Sequence, residues 1–248
     1  MSAAPGSWAV TRMGKWPTVA SVVPEGFPAY ARLFHPALLA GTFQREVRWS
    51  EVAAANRHVA HPAMEWASIT GAFRYLNSND SQPGIWDQRP AVGTLPQHIV
   101  QELAVTLSGH TQTPDRCCFA IWEGYDGLPY LGGLRPQQLA APNRNMILLS
   151  GPLSAMLEES FDEGWYRTAP DLRQPHHYRS PSLWWPEDRA WCVGTDVDLN
   201  SSYLGASKEC IDALLANEQL EILPVTADQK ISFDADTINP KPEGSIYD

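Results

Sequence analysis

The sequence predicts an α+β fold, a single domain in which a mixed or antiparallel sheet is packed by several short helices. Three observations lead there. Strand-like and helix-like segments interleave without a strict βαβ rhythm, and no GxGxxG follows a strand. Val193, Thr195, Val197 and Leu199 alternate with Gly194, Asp196, Asp198 and Asn200, the period-2 signature of a half-buried strand. Ile99, Val100, Leu103, Ala104 and Leu107 recur at helical spacing. One domain is favoured over two, because each half contributes lone strands that need partners.

In chain order, residues 1–7 are small and read as a flexible N-terminus, and 8–12 as a short strand. Residues 24–36 read as a short helix bracketed by prolines, with Tyr30, Leu33 and Phe34 on one side. Residues 42–49 alternate around Phe43, Val47 and Trp49 and predict a strand. Ser50 is a good N-cap with Glu51 in the first turn, and Val52, Ala55 and Val59 give that helix its apolar stripe. Residues 77–93 are rich in turn formers, a long loop or sub-boundary that Trp86 docks onto something. Thr94 and Gln97 fit a capping box for the amphipathic helix, which Gly109 ends.

The apolar runs 116–122 and 146–149 predict strands buried on both faces. Ser150 and Pro152 start a short helix to about 160, and residues 162–183 are irregular. Ser207 caps a helix that carries Cys210, Ile211, Leu214 and Leu215 on one face. Residues 220–225 close the sheet as a last strand. The domain thus spans 8–225, and the acidic tail 226–248 is expected to lie on the surface or fray.

Composition excludes several classes of function. Of the 248 residues, 44% are hydrophobic, enough for a substantial core. The net charge is -10, and no two of the 18 Lys and Arg residues are adjacent, which argues against nucleic acid and anionic membrane surfaces. No run of 18 apolar residues suggests a membrane span. Cys117, Cys118, Cys192 and Cys210 lack CxxC spacing and sit in apolar surroundings, as reduced buried thiols in a cytoplasmic protein would.

Four candidate sites emerge. His58, His61 and Glu65 would share a helix face and suit zinc or iron, but Pro62 interrupts the helix they need, so no metal or other cofactor is expected. Asp196, Asp198 and Asn200 would stand in a row on the wet face of the alternating strand, as an acid/base pair or a divalent-cation site. The bland alternative for that row is a solvated strand face. On this register Val193, Val197 and Leu199 are buried. Trp184 and Trp185, with Tyr178 nearby, lie in an irregular stretch and would anchor a partner, unless they dock that loop onto the core. Glu123, in the turn after a central strand, is placed like a catalytic acid, or else only caps the turn. No G-x-S-x-G supports a nucleophilic serine.

The segments FAIWEGYDGL, SGPLSAML and PSLWWPEDRAWCVGTDVDLNSSYLGAS resemble a family of uncharacterised actinobacterial proteins, over residues 22–239. That resemblance implies no activity and no site residue. A more distant similarity, resting on general character and the FAIWEGYDGL turn, is to SUKH-type immunity and scaffold proteins, which are acidic, cytoplasmic, α+β and non-enzymatic. Together these features point to a non-catalytic cytoplasmic protein that binds a macromolecular partner, a protein and preferably a basic one, through a tryptophan-rich surface. The alternative is a metal- or carboxylate-dependent hydrolase at the Asp196/Asp198 face.

Overall fold

The computed structural model describes residues 5–41, 44–76, 80–125, 137–142, 144–157 and 179–246. Among the described residues, five α-helices, α1 (Ser7–Val10), α2 (Trp49–Ala55), α3 (Trp66–Thr70), α4 (Gln97–Ser108) and α5 (Lys208–Leu215), accompany two sheets. The larger sheet has eight strands: β1 (Ala29–Phe34), β4 (Cys117–Trp122), β5 (Gln137–Ala140), β6 (Asn145–Gly151), β7 (Leu183–Pro186), β8 (Trp191–Gly194), β9 (Ser201–Ala206) and β10 (Ile222–Val225). Their order is β10-β1-β9-β8-β7-β4-β6-β5, and every neighbouring pair is antiparallel. A short β2 (Ala37–Leu39) and β3 (Arg45–Val47) pair separately. The fold is α+β, as expected from the interleaving without a βαβ rhythm.

One face of the sheet is covered by helices. Ala31, Leu33, Phe119, Trp184, Trp191, Val193 and Leu204 meet Ile99, Val100, Leu103, Ala104 and Leu107 of α4 and Cys210, Ile211 and Leu214 of α5. These are the stripes the sequence predicts, and truncating one such leucine to alanine costs about 2–5 kcal/mol. Ser207 Oγ accepts from Cys210 N, so the α5 cap is also as expected. Among the described residues, the other face is covered without a long helix. Val19, Val22, Val23 and Ile231 pack on Tyr30, Ala120, Leu183, Trp185, Cys192 and Tyr203. Two glycines permit that approach: a Cβ at Gly194 would lie 2.4 Å from the Val22 carbonyl oxygen, and one at Gly205 2.4 Å from Phe27.

A third cluster joins Phe34, Trp49, Trp66 and Trp86, with successive ring centroids 5.0–5.2 Å apart. Trp86 is the dock expected for the 80–93 loop: it is fully buried and its Nε1 donates to Gln82.

Several expectations are corrected. Residues 29–34 form β1, not a helix, because both faces are covered and the apolar and polar positions no longer alternate cleanly. Trp8 lies in a four-residue helix, not a strand. Helix α2 stops at Ala55, followed by Arg57 at φ 60°, so Val59 falls outside it and is 54% exposed. The alternating stretch is not one strand: β8 ends at Gly194, residues 195–200 turn, and β9 follows. Asp196 drives that turn, its Oδ1 accepting from Asp198 N at 3.0 Å and its carbonyl from Leu199 N at 3.1 Å. Val193 is buried as expected, whereas Val197 and Leu199 are only half-buried.

Nor does the described tail fray. Ile231 is buried, Lys230 bridges to Thr18, and Glu243 pairs with Ala72. Asn239 imitates a strand partner, its Oδ1 accepting from Val59 N at 2.7 Å and its Nδ2 donating to Val59 O at 3.0 Å.

Candidate functional site

The sequence-predicted candidates do not converge. His58 Nδ1 lies 3.0 Å from the Ile69 carbonyl, and His61 Nε2 lies 2.9 Å from Asp236 Oδ1. Glu65 faces Arg32 instead. Among the described residues no group of three His, Cys, Asp or Glu side chains is placed to hold a metal ion. Asp196 and Asp198 do come together, but both turn onto Arg144, whose Nε and Nη2 reach Asp196 at 3.2 and 3.1 Å and whose Nη2 also meets Asp198. Their charge is engaged by a guanidinium that itself lies 5.3 Å over Trp122. Glu123 is exposed and accepts from Asn145 Nδ2 at 2.9 Å, a surface bond that ties β4 to β6.

Trp184 and Trp185 do not lie in an irregular loop. They are adjacent residues of β7 and therefore point to opposite faces, Trp184 under the helices and Trp185 under the N-terminal segment. Their exposures are 0% and 2%, so neither projects from the surface, and what Trp185 offers is the buried edge of a groove. Tyr178 lies outside the described residues.

Two buried polar networks went unread because their members are far apart in sequence. Arg32 donates from Nε to Ser201 Oγ at 3.0 Å and from Nη1 to the carbonyls of Pro62 and Met64 at 3.1 and 2.8 Å. Its Nη2 lies 3.2 Å from Glu65 Oε1, an ion pair by distance, though Oε1 has no hydrogen bond of good direction. Burial pushes the Glu65 carboxyl up to about 7, with Arg32 pulling the other way.

The second network places His35 Nε2 2.9 Å from Ser202 Oγ, itself 2.6 Å from Thr195 Oγ1. Nδ1 lies 2.7 Å from the Ala91 carbonyl, so Nδ1 carries the proton and Nε2 accepts. Burial pushes His35 down to about 4, and the ring is neutral. A serine on a neutral imidazole has the parts of a nucleophile–base pair. Ser202 and His35 are both 0% exposed, however, and the hydroxyl is saturated by its two neighbours. No substrate carbon reaches it.

An open site lies elsewhere, at the end of the sheet where β4 begins and β6 and β7 finish. Ser150, Cys118 and Trp185 are cross-strand neighbours there, on the face covered by the N-terminal segment. Small side chains leave a depression, and a Cβ at Gly151 would meet nothing within 4 Å. The result is a groove of about 490 Å³, within the size range of ligand pockets. Trp8 of α1 forms a wall, packed edge-on against Trp185 with centroids 6.0 Å apart. Gly6 sets that wall: its φ of 85° turns the chain, and a Cβ would lie 3.2 Å from Trp185.

The rim carries Asp115, Arg116, Glu187 and Arg189. Arg116 pairs with Glu187 at 2.6 Å, both more than 60% exposed, so the pair contributes little. Arg189 sits at φ 58°, a conformation rare for a residue with a side chain, and lies 5.3 Å over the Trp8 ring. The turn beneath it is rigid. Asp188 accepts from Thr111 Oγ1, Gln112 N and Ala190 N at 2.7–3.1 Å. Partial burial pushes its carboxyl up, but these bonds outweigh it and hold it below its ordinary value. Burial also raises the Cys118 thiol, which makes it a poor nucleophile on the floor.

The groove is drawn from the N-terminal segment, the approach to β4, the end of β6 and the turn after β7, so no local motif announces it. The paired Trp184 and Trp185 were the only hint, and only Trp185 lines the groove. No family model matches the chain, and neither a curated protein nor a solved structure matches it. Among the described residues, no helix is long and apolar enough to cross a membrane.

Proposed function

We propose that the chain is a non-catalytic binding protein that seats a segment of a protein partner in the groove beside Trp8, Cys118, Ser150 and Trp185. One observation carries this reading: the 490 Å³ groove is open and combines indole walls with rim charges. Among the described residues, the constellations that could do chemistry are closed, His35–Ser202 by burial and Asp196/Asp198 by Arg144. That engagement leaves the carboxylate-dependent hydrolase as the weaker alternative. The net charge of -10 favours a basic partner during encounter, and cytoplasmic residence suits the free thiols.

The test compares the parent with Ser150→Trp, which fills the groove from an exposed position of β6. Both are used as bait in lysate of the cells that natively express the chain. The expected result is a protein captured in near-stoichiometric amount by the parent and lost with Ser150→Trp, at equal melting temperature. Capture that survives the filled groove would move the partner surface elsewhere.

A further inference from the structure

Resting on the groove as the partner's seat, we infer the chemistry of what it takes: the C-terminus of a partner chain, ending in an aromatic residue with a free carboxylate and preceded by basic residues. The first support is the unpaired cation. Arg189 lines the groove and makes no ion pair among the described residues. A guanidinium lying over an indole keeps its in-plane N–H donors free at the edge, the fork geometry that matches a carboxylate. The Asp188 bonds hold the turn that carries Arg189, and the Trp8 ring is the surface its guanidinium lies over. Arg116, whose exposed partner Glu187 holds it weakly, stands on the same rim as a second donor.

The second support is the shape beside that cation. Trp8 and Trp185 meet at an interplanar angle of 80°, forming an apolar corner over a floor of Ser150, Gly151 and Cys118. A flat ring fits a corner of that kind edge-to-face. The third is charge. A chain of net charge -10 repels acidic segments, so an anion reaches Arg189 most readily on an otherwise basic strand. A single terminal carboxylate behind basic residues satisfies both requirements. Asp115, also on the rim without an ion pair among the described residues, is available to those upstream cations.

The experiment titrates the full chain with two synthetic hexapeptides. Each has two lysines, three alanines and a final phenylalanine, one ending in a free carboxylate and the other in an amide. Calorimetry gives affinity, and indole N–H shifts of Trp8 give location. The carboxylate form is expected to bind about 10-fold tighter or more, the size of a charge-assisted hydrogen bond. Arg189→Ala should erase that preference, Arg189→Lys should keep part of it, and Ser150→Trp should abolish binding of both peptides. Equal affinity of the two peptides, no binding of either, or a preference that survives Arg189→Ala overturns the inference. If the peptides fail while partner capture still depends on an open groove, the binding reading stands without this anchor. If they bind as expected but capture ignores Ser150→Trp, the site is real and the partner lies elsewhere.

Discussion

Substituting Glu65 by Gln should expose two opposing pH dependences that the parent protein hides. Glu65 titrates at about 7 when folded against 4.5 ordinarily. The folded state therefore keeps this proton longer than the unfolded one. The stabilisation is complete below about pH 4.5 and is lost as pH rises through about 7. His35 runs the other way, titrating at about 4 when folded against 6.5 ordinarily. Its contribution is present above about pH 6.5 and is lost as pH falls towards 4. Each gap, at about 1.4 kcal/mol per pH unit, amounts to about 3 kcal/mol.

The two slopes have opposite sign and overlap between about pH 4.5 and 6.5, so they nearly cancel there. Glu65→Gln keeps an oxygen for Arg32 and removes the titration. Urea melts at half-unit steps from pH 4.5 to 8 should then show the variant gaining on its parent by about 3 kcal/mol across that range. Below about pH 7 the folded Glu65 is protonated and offers Arg32 no counter-charge, so Gln mimics that form and the curves diverge as the parent's carboxyl ionises. Two parallel curves, separated by a constant, would refute the assignment of a protonated, buried Glu65.

Three further outcomes follow from the packing. Val193→Asp should destabilise by about 3 kcal/mol or more and Val197→Asp by less than about 1, since Val193 is in the core and Val197 in a half-buried turn; equal denaturant midpoints would refute the turn. Asp236→Ala should cost about 2–4 kcal/mol, because His61, Ile238 N and Asn239 all donate to that carboxylate; a melting temperature unchanged from the parent would show the tail to be dispensable. All four thiols are free, with only Cys118 half-buried, so an aromatic disulfide reagent should label Cys118 first and the other three after denaturation; fast labelling of Cys117, Cys192 or Cys210 would contradict their burial.

What was legible in the sequence followed from strict periodicity and, at α5 alone, from local capping, since α2 and α4 start from Arg48 and Pro96 and not from Ser50 and Thr94. The α4 stripe is local, so all five of its predicted positions are buried, and Ser207 caps α5 by its own side chain. Strands β4 and β6 announced themselves as apolar runs. Where both faces of a strand are covered, the pattern loses its period, and β1 read as a helix. Where an Asx turn interrupts an alternating run, alternation alone misleads, as at Asp196. The groove was illegible for a third reason. Trp8, Arg116, Cys118, Ser150, Trp185 and Arg189 meet only because β6, β4 and β7 lie side by side.

The strand order has a consequence for how the chain is made. Strand β1 lies between β9 and β10, with Ala31 opposite Leu204 on one side and Pro224 on the other. On a ribosome it emerges well before either of its partners. Until they follow, it is an apolar strand with two unpaired edges, the kind of segment that pairs with whatever strand is nearest. The β7–β8–β9 meander can close on itself earlier, because its connections are short. The last step of sheet assembly is then the insertion of an early strand into a slot completed by a late one. Chains halted before residue 222 would carry β1 without its β10 edge, and they are expected to aggregate more than the full chain when translation is slowed.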